Sequence, residues 1–176
     1  MNALLSLARD LLLLRRGPQD LPYSPALLGG LCVVALLVDH ALAVTLVEGG
    51  APIGRLLFSL AMLVGLPAMA LQMANLAARW VQTATALVAT GIVFSLVALP
   101  VVSGVGRLPE DPTQLSSSQM VFGWLAVVLL VWQLAVKGSI FRHALGVPLR
   151  AGVLLAVAFF AIELVLGVAL FGGSSG

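Results

Sequence analysis

The sequence predicts an all-α, polytopic membrane protein: five transmembrane helices preceded by an amphipathic helix lying in the membrane interface. Three observations carry that prediction. Of 176 residues, 61% are hydrophobic and 9% charged, against roughly 25% charged in a typical soluble domain. Nine Lys and Arg with seven Asp and Glu could not cover a water-exposed surface of this size without large apolar patches. The apolar residues fall into five runs of about 20, the length that crosses the hydrocarbon core of a bilayer.

Residues 1–24 form a cytoplasmic, interfacial segment. The run 1–16 is interrupted by Arg9 and Asp10 and ended by Gly17-Pro18, so it is too short and too charged to span. At 100° per residue, Asn2, Ser6, Arg9, Asp10 and Arg16 share one arc, while Leu4, Leu5, Leu7, Leu11, Leu12 and Leu14 fall largely on the other. That is the pattern of a helix lying in the interface, with a cap docked on the bundle as the alternative. A cleaved signal peptide fits worse, because a basic start and a small-residue cleavage site are missing.

The bundle occupies 25–171. Pro18, Pro22 and Pro25 keep the connection extended, and Ser24-Pro25 supplies an N-cap with proline at the first helical position, which starts a span over 25–47. Gly49-Gly50-Ala51-Pro52 turns the chain into a second span, 53–74, bent if anywhere at Pro67. A third covers 82–102, with Pro100 near its end. Residues 104–118 are the longest polar stretch and read as an exposed loop. Ser116 and Gln119 then form a capping box that opens a fourth span, 117–136. Lys137, Arg142 and His143 make the next connection, Gly146-Val147-Pro148 launches a fifth span over 149–171, and 172–176 is a flexible tail.

Orientation follows from the basic residues. Arg9, Arg15, Arg16, Arg79, Lys137, Arg142 and Arg150 share one side, leaving Arg55 and Arg107 on the other. The positive-inside rule then places the N-terminus in the cytoplasm and the C-terminus outside. Arg9, Arg15, Arg16, Arg79, Lys137 and Arg142 are the candidate contacts to lipid head groups. The same rule puts Tyr23, Trp80 and Trp132 toward the cytoplasmic interface and Trp124 toward the other.

The polar residues within spans are the candidates for chemistry: Asp39, His40 and Glu163. An ionised carboxylate at mid-membrane costs about 2.5 to 3.5 kcal/mol even on insertion scales. Asp39 and Glu163 each lie three residues beyond the centre of their spans, and both spans run outward, so the two carboxyls are expected at one level. Cys32, Ala35, Asp39 and Ala43 recur at helical spacing, as do Gly152, Ala156, Glu163 and Gly167. Small-residue stripes of this kind mark helix interfaces in membranes, so the first and fifth spans are expected to pack together around a shared polar pocket. One reading makes the pair a proton or cation site, or a pocket for a polar head group. The other makes them structural acids hydrogen-bonded to neighbouring helices, and no basic or amide relay is evident beside them.

The remaining features point to bland roles. His40 is rotated about 100° from Asp39, and His143 falls at the opposite membrane surface, so no metal site is expected. Gln72, Asn75 and Arg79 form a polar helix end. Met62, Met69 and Met73 make a stripe attributed to core packing. Ser139 and His143 stand i, i+4 without an orienting acid, so no hydrolase is expected. Cys32 excludes an internal disulfide. No cofactor and no nucleic acid partner is expected.

The arrangement resembles Yip-domain membrane proteins: Leu-Leu-Arg-Arg-Gly-Pro over 13–18, five spans, and a cytoplasmic N-terminus. Trp132-Gln133-Leu134, the basic turn over 137–143 and Pro148-Leu149-Arg150-Ala151 are similar to the ending of bacterial members. The aspartate-leucine-tyrosine-glycine-proline signature of eukaryotic members is absent. The resemblance implies a non-enzymatic protein of the bacterial inner membrane, an accessory or scaffolding subunit that organises membrane lipid, other membrane subunits or a second copy of itself. The alternative is a small transporter or proton- or cation-conducting subunit using Asp39 and Glu163, although five spans without an inverted repeat do not match a self-contained secondary transporter.

Overall fold

The computed structural model describes residue 10 and residues 17–46, 51–105 and 116–172. Among them no strand occurs, and five helices are long and apolar enough to cross a membrane: α1 (Pro25–Leu46), α2 (Ile53–Met73), α3 (Trp80–Val105), α4 (Ser117–Leu145) and α5 (Leu149–Phe171). The chain is an all-α integral membrane protein. The expected interfacial helix with Arg9, Arg15 and Arg16, most of the 104–118 loop and the end of the tail lie outside the described residues.

Local chemistry explains where the helices begin and end. Ser24 Oγ accepts from the Leu27 N–H, with Pro25 in the first turn where its missing donor is harmless. The capping box closes at α4: Ser116 Oγ accepts from the Gln119 N–H at 3.2 Å, and the Gln119 side chain accepts from the Ser116 N–H at 2.9 Å. At the end of α2, Asn75 takes a left-handed φ of 58°. The Leu76 N–H then reaches the Leu71 carbonyl and the Asn75 N–H the Gln72 carbonyl, so the last turn is closed by a Schellman pair with asparagine in the glycine position. The proline-rich connection before α1 is not fully extended. Pro18–Asp20 make a 3₁₀ turn whose Pro18 is buried, tied to α3 by the Gln82 amide donating to the Leu21 carbonyl at 2.7 Å.

One boundary differs from expectation in a way that matters. The fourth helix does not stop at residue 136; it continues to Leu145 and ends on Gly146, in left-handed conformation at φ 71°. Lys, Arg and Phe are acceptable helix residues, the helix runs through the lone Gly138, and it stops at Gly146-Val147-Pro148. The charged stretch 137–143 is therefore helix, not connection, and Lys137 lies two turns inside it.

Helix α3 is the axis of the bundle, packing on α1, α4 and α2, while α5 packs mainly on α4 and less on α2. Ala84, Ala86, Leu87 and Val88 of α3 are fully buried. Three threonines of the same helix are buried without calling on neighbours, because Thr83, Thr85 and Thr90 donate to the carbonyls of Arg79, Val81 and Ala86 in their own preceding turns. Pro67 leaves the Leu63 carbonyl of α2 without its helical donor, and one residue further on the Trp80 indole donates to the Val64 carbonyl at 3.1 Å. Phe94 meets Trp132, and Phe141 meets Phe159, edge to face across α3–α4 and α4–α5.

The closest helix approach is between α4 and α5. A Cβ on Gly138 would lie 2.5 Å from Val153 Cγ2 and 2.7 Å from its Cα, and one on Gly152 would collide with the Gly138 carbonyl oxygen. Only glycine allows backbones this near. The expected stripe on the fifth span is thus divided: Gly152 and Ala156 are buried against α4, while Glu163 and Gly167 turn toward Ser59 and Phe58 of α2. The first-span stripe faces α3, where Ala35 is buried among Leu28, Val81, Ala84 and Val88 and Cys32 packs at the edge of the same cluster. The first and fifth spans therefore share no substantial packing, contrary to the expectation from their matching stripes. The methionine stripe is only partly core: Met62 is half-buried, while Met69 and Met73 are 62% and 85% exposed on the outside of α2.

Candidate functional site

Asp39 and Glu163 sit on helices that share no substantial packing, yet they line the same space. A cavity of about 390 Å³ is lined by residues of all five helices, with Asp39 of α1, Arg55 and Ser59 of α2, Ser95 of α3, Gln133 and Lys137 of α4 and Glu163 of α5 on its walls. Two serines hold the acids. Ser95 Oγ donates to Asp39 Oδ1 at 2.7 Å, and Ser59 Oγ donates to Glu163 Oε1 in a short hydrogen bond. Each acid is thereby oriented by a helix other than its own.

The position of Lys137 follows from helix geometry. Consecutive spans alternate in direction, so α1 and α5 run opposite to α4. Side chains lean toward the N-terminus of their own helix. Gly138 abuts Val153, near the start of α5, so Lys137 rises from well below the level of Glu163, and its stem leans up while the acids lean down. The ammonium lies within electrostatic range of both Glu163 and Asp39. Arg55, exposed in the first turn of α2, stands on the wall together with Ala51 where α1 hands over to α2. Two acids thus face two bases, a balance that lets a charged cavity exist in a bundle where any lone charge would be expensive.

The other candidate residues are dispersed. His40 is on the exposed face of α1, away from the cavity walls. Arg79 donates to the Ala144 carbonyl at 3.0 Å, tying the start of α3 to the last turn of α4. Arg142 is exposed in that last turn. Gln72 and Asn75 are exposed at the end of α2. The His143 ring nitrogen pairs with the Ser139 carbonyl oxygen at 2.8 Å, not with the hydroxyl, so the i, i+4 pair is a local helix contact. Among the described residues no group of three or more His, Cys, Asp or Glu converges.

Lys137 departs most from expectation: in place of a head-group contact at the membrane surface, it lines the cavity within electrostatic range of both acids. Ser59, Ser95 and Gln133 were not singled out. A signal existed for Lys137, since the helix has no break before Gly146. The two serines are small polar residues in long apolar runs and carry no signature of their own. Searches against protein-family models, curated proteins and solved structures find no significant match to this chain.

Proposed function

We propose that the protein is a small, non-enzymatic membrane carrier whose substrate site is the charged cavity, with Asp39 and Glu163 as the groups that exchange protons or cations and Lys137 as their counter-charge. One observation supports this above all: acids, a base, an amide and two hydroxyls from five helices converge on an open cavity of about 390 Å³, a size typical of small-molecule sites. A purely structural ion network gains most from close packing, and this one is built around space. Charged residues on such a wall are the usual mark of a substrate or ion pathway. The accessory or scaffolding role rests on the resemblance to bacterial Yip-domain proteins, and the cavity favours the carrier reading over it.

The setting we propose is a bacterial inner membrane with a cytoplasmic N-terminus. Withdrawing Lys137 from the surface count leaves Arg9, Arg15, Arg16, Arg79, Arg142 and Arg150 on one side against Arg55 and Arg107, so the positive-inside argument is retained. The mouth beside Ala51 and Arg55 then opens away from the cytoplasm. Proteoliposomes loaded with a pH-sensitive dye test the carrier reading: an imposed gradient should dissipate faster with the protein present, and Asp39→Asn or Glu163→Gln should abolish the difference. Dissipation that is absent, or unchanged in both variants, overturns the role given to the acids.

A further inference from the structure

A second hollow of about 170 Å³ lies along the α2–α5 seam and shares Arg55, Ser59, Phe160 and Glu163 with the cavity walls. Beyond Arg55, Ser59 and Glu163 its lining is apolar, with Phe58, Leu164, Gly167 and Val168. Val168 is 62% exposed and Leu164 55%, so the groove runs out onto the face that meets lipid tails. The seam is also lightly packed, in contrast to the backbone-to-backbone approach of α4 and α5. Gly167 widens it, since the nearest side-chain atom to a Cβ placed there is Phe58 Cε1 at 3.9 Å.

A charged chamber that shares a wall with an apolar slot facing lipid is complementary to a molecule with a polar end and a hydrocarbon end. The charges narrow the polar end further. An anion alone would meet Asp39 and Glu163, and a cation alone would meet Lys137 and Arg55; a group bearing both signs meets a partner for each. The carboxylates retain lone pairs beyond those used by the serines, which suits a primary ammonium with its three donors better than a quaternary one with none. A guanidinium at the mouth suits a phosphate, which it can bind through two parallel hydrogen bonds.

We propose that the substrate of this site is a zwitterionic amphiphile with a primary amine and a phosphate, of the phosphatidylethanolamine class, which enters sideways through the α2–α5 seam. Its ammonium is held by Asp39 and Glu163, its phosphate by Arg55 at the mouth, and a tail remains in the groove over Gly167. The proposal rests on the carrier reading of the cavity and adds to it the substrate class and a lateral portal.

Native mass spectrometry of the full-length protein in detergent micelles, doped with equal amounts of phosphatidylethanolamine, phosphatidylcholine and phosphatidylglycerol, tests it. Phosphatidylethanolamine should be retained about tenfold over each of the others, the effect of one charge-assisted hydrogen bond. Asp39→Asn with Glu163→Gln should remove the preference, and Gly167→Leu should weaken retention. Val168→Phe, at the exposed edge of the groove, should weaken it too and does not depend on the buried interface. His40→Ala, at an exposed position of α1 off the cavity wall, should leave it unchanged. Equal retention of the three lipids, preference for the anionic lipid, or a preference indifferent to both groove variants would overturn the proposal. Water-soluble phosphoethanolamine separates the two levels. If it competes for the site while lipid shows no preference, the polar site stands and the amphiphile falls; if neither binds and the flux assay is negative, the carrier reading falls as well.

Discussion

Replacing Gly152 by alanine adds one methyl group at the point where α4 and α5 come closest, and the structure gives the consequence in ångströms. The new carbon would lie 3.0 Å from the Arg142 backbone nitrogen and closer still to the Gly138 carbonyl oxygen, where ordinary carbon–oxygen contacts fall at about 3.3–3.6 Å. Both obstacles are backbone, so no side chain can swing away, and the helices must separate locally by about 1 Å. A gap of that size forfeits up to half of each affected contact, at roughly 0.1–0.2 kcal/mol per atom pair. Over two or three dozen pairs around Ala156 and the Phe141–Phe159 contact, the loss is about 2–3 kcal/mol, in line with overpacking costs in cores. The better helix propensity of alanine returns up to about 1 kcal/mol. The net destabilisation of about 2 kcal/mol corresponds to a melting temperature lower by about 4–8 °C for a chain of this size. Thermal unfolding in detergent, followed by circular dichroism, reads it directly. Gly65→Ala is the control, because nothing lies within 4 Å of a Cβ at that position. Equal melting temperatures for the two variants would refute the claim that backbone contact at Gly138–Gly152 holds α5 in place.

Three further outcomes are expected. Ser116→Ala should cost about 1 kcal/mol by opening the capping box, seen as faster amide exchange over the first turn of α4 with the rest of the helix unchanged. Trp80→Phe should lower the melting temperature by the equivalent of about 1 kcal/mol, since the Val64 carbonyl loses its indole donor, whereas Trp124→Phe, at a site 72% exposed, should leave it within error. Asp39→Asn keeps an acceptor for Ser95 and should fold normally, while Asp39→Leu strands the Ser95 hydroxyl, at about 1–3 kcal/mol; equal stability of the two variants in thermal melts would contradict the pairing.

What could be read from the residues was set by which signals are local. Helix type and number follow from apolar run length, and the ends marked by Ser24-Pro25, the Ser116–Gln119 box and Gly146-Val147-Pro148 follow from capping chemistry that needs no tertiary partner. The end of α4 was misplaced because span length, a property of the membrane, was allowed to override stop signals, a property of the backbone; the helix simply projects further than the bilayer requires. The convergence of Asp39 and Glu163 was legible from depth and face. Its cause was not, since a small-residue stripe says that a helix is approached closely but not by which neighbour. The partners were decided by α3 occupying the centre, and that placed Ser95 and Lys137 at the acids where the sequence alone offered no relay.

The self-contained bonding of the α3 threonines bears on how such a bundle can be assembled. A helix destined for the centre is made third in chain order, before α4 and α5 exist to surround it, so its surface must first be acceptable to lipid. Hydroxyls already satisfied within their own turn carry no unmet demand into the bilayer. The serine–acid links behave differently. Ser95 finds Asp39 on a helix synthesised earlier, so that pair can close as soon as α3 arrives, but Ser59 waits for Glu163 on the last helix of all. Completion of the cavity is thereby tied to the arrival of α5, and a chain cut short before that point would hold an open bundle with one serine still waiting.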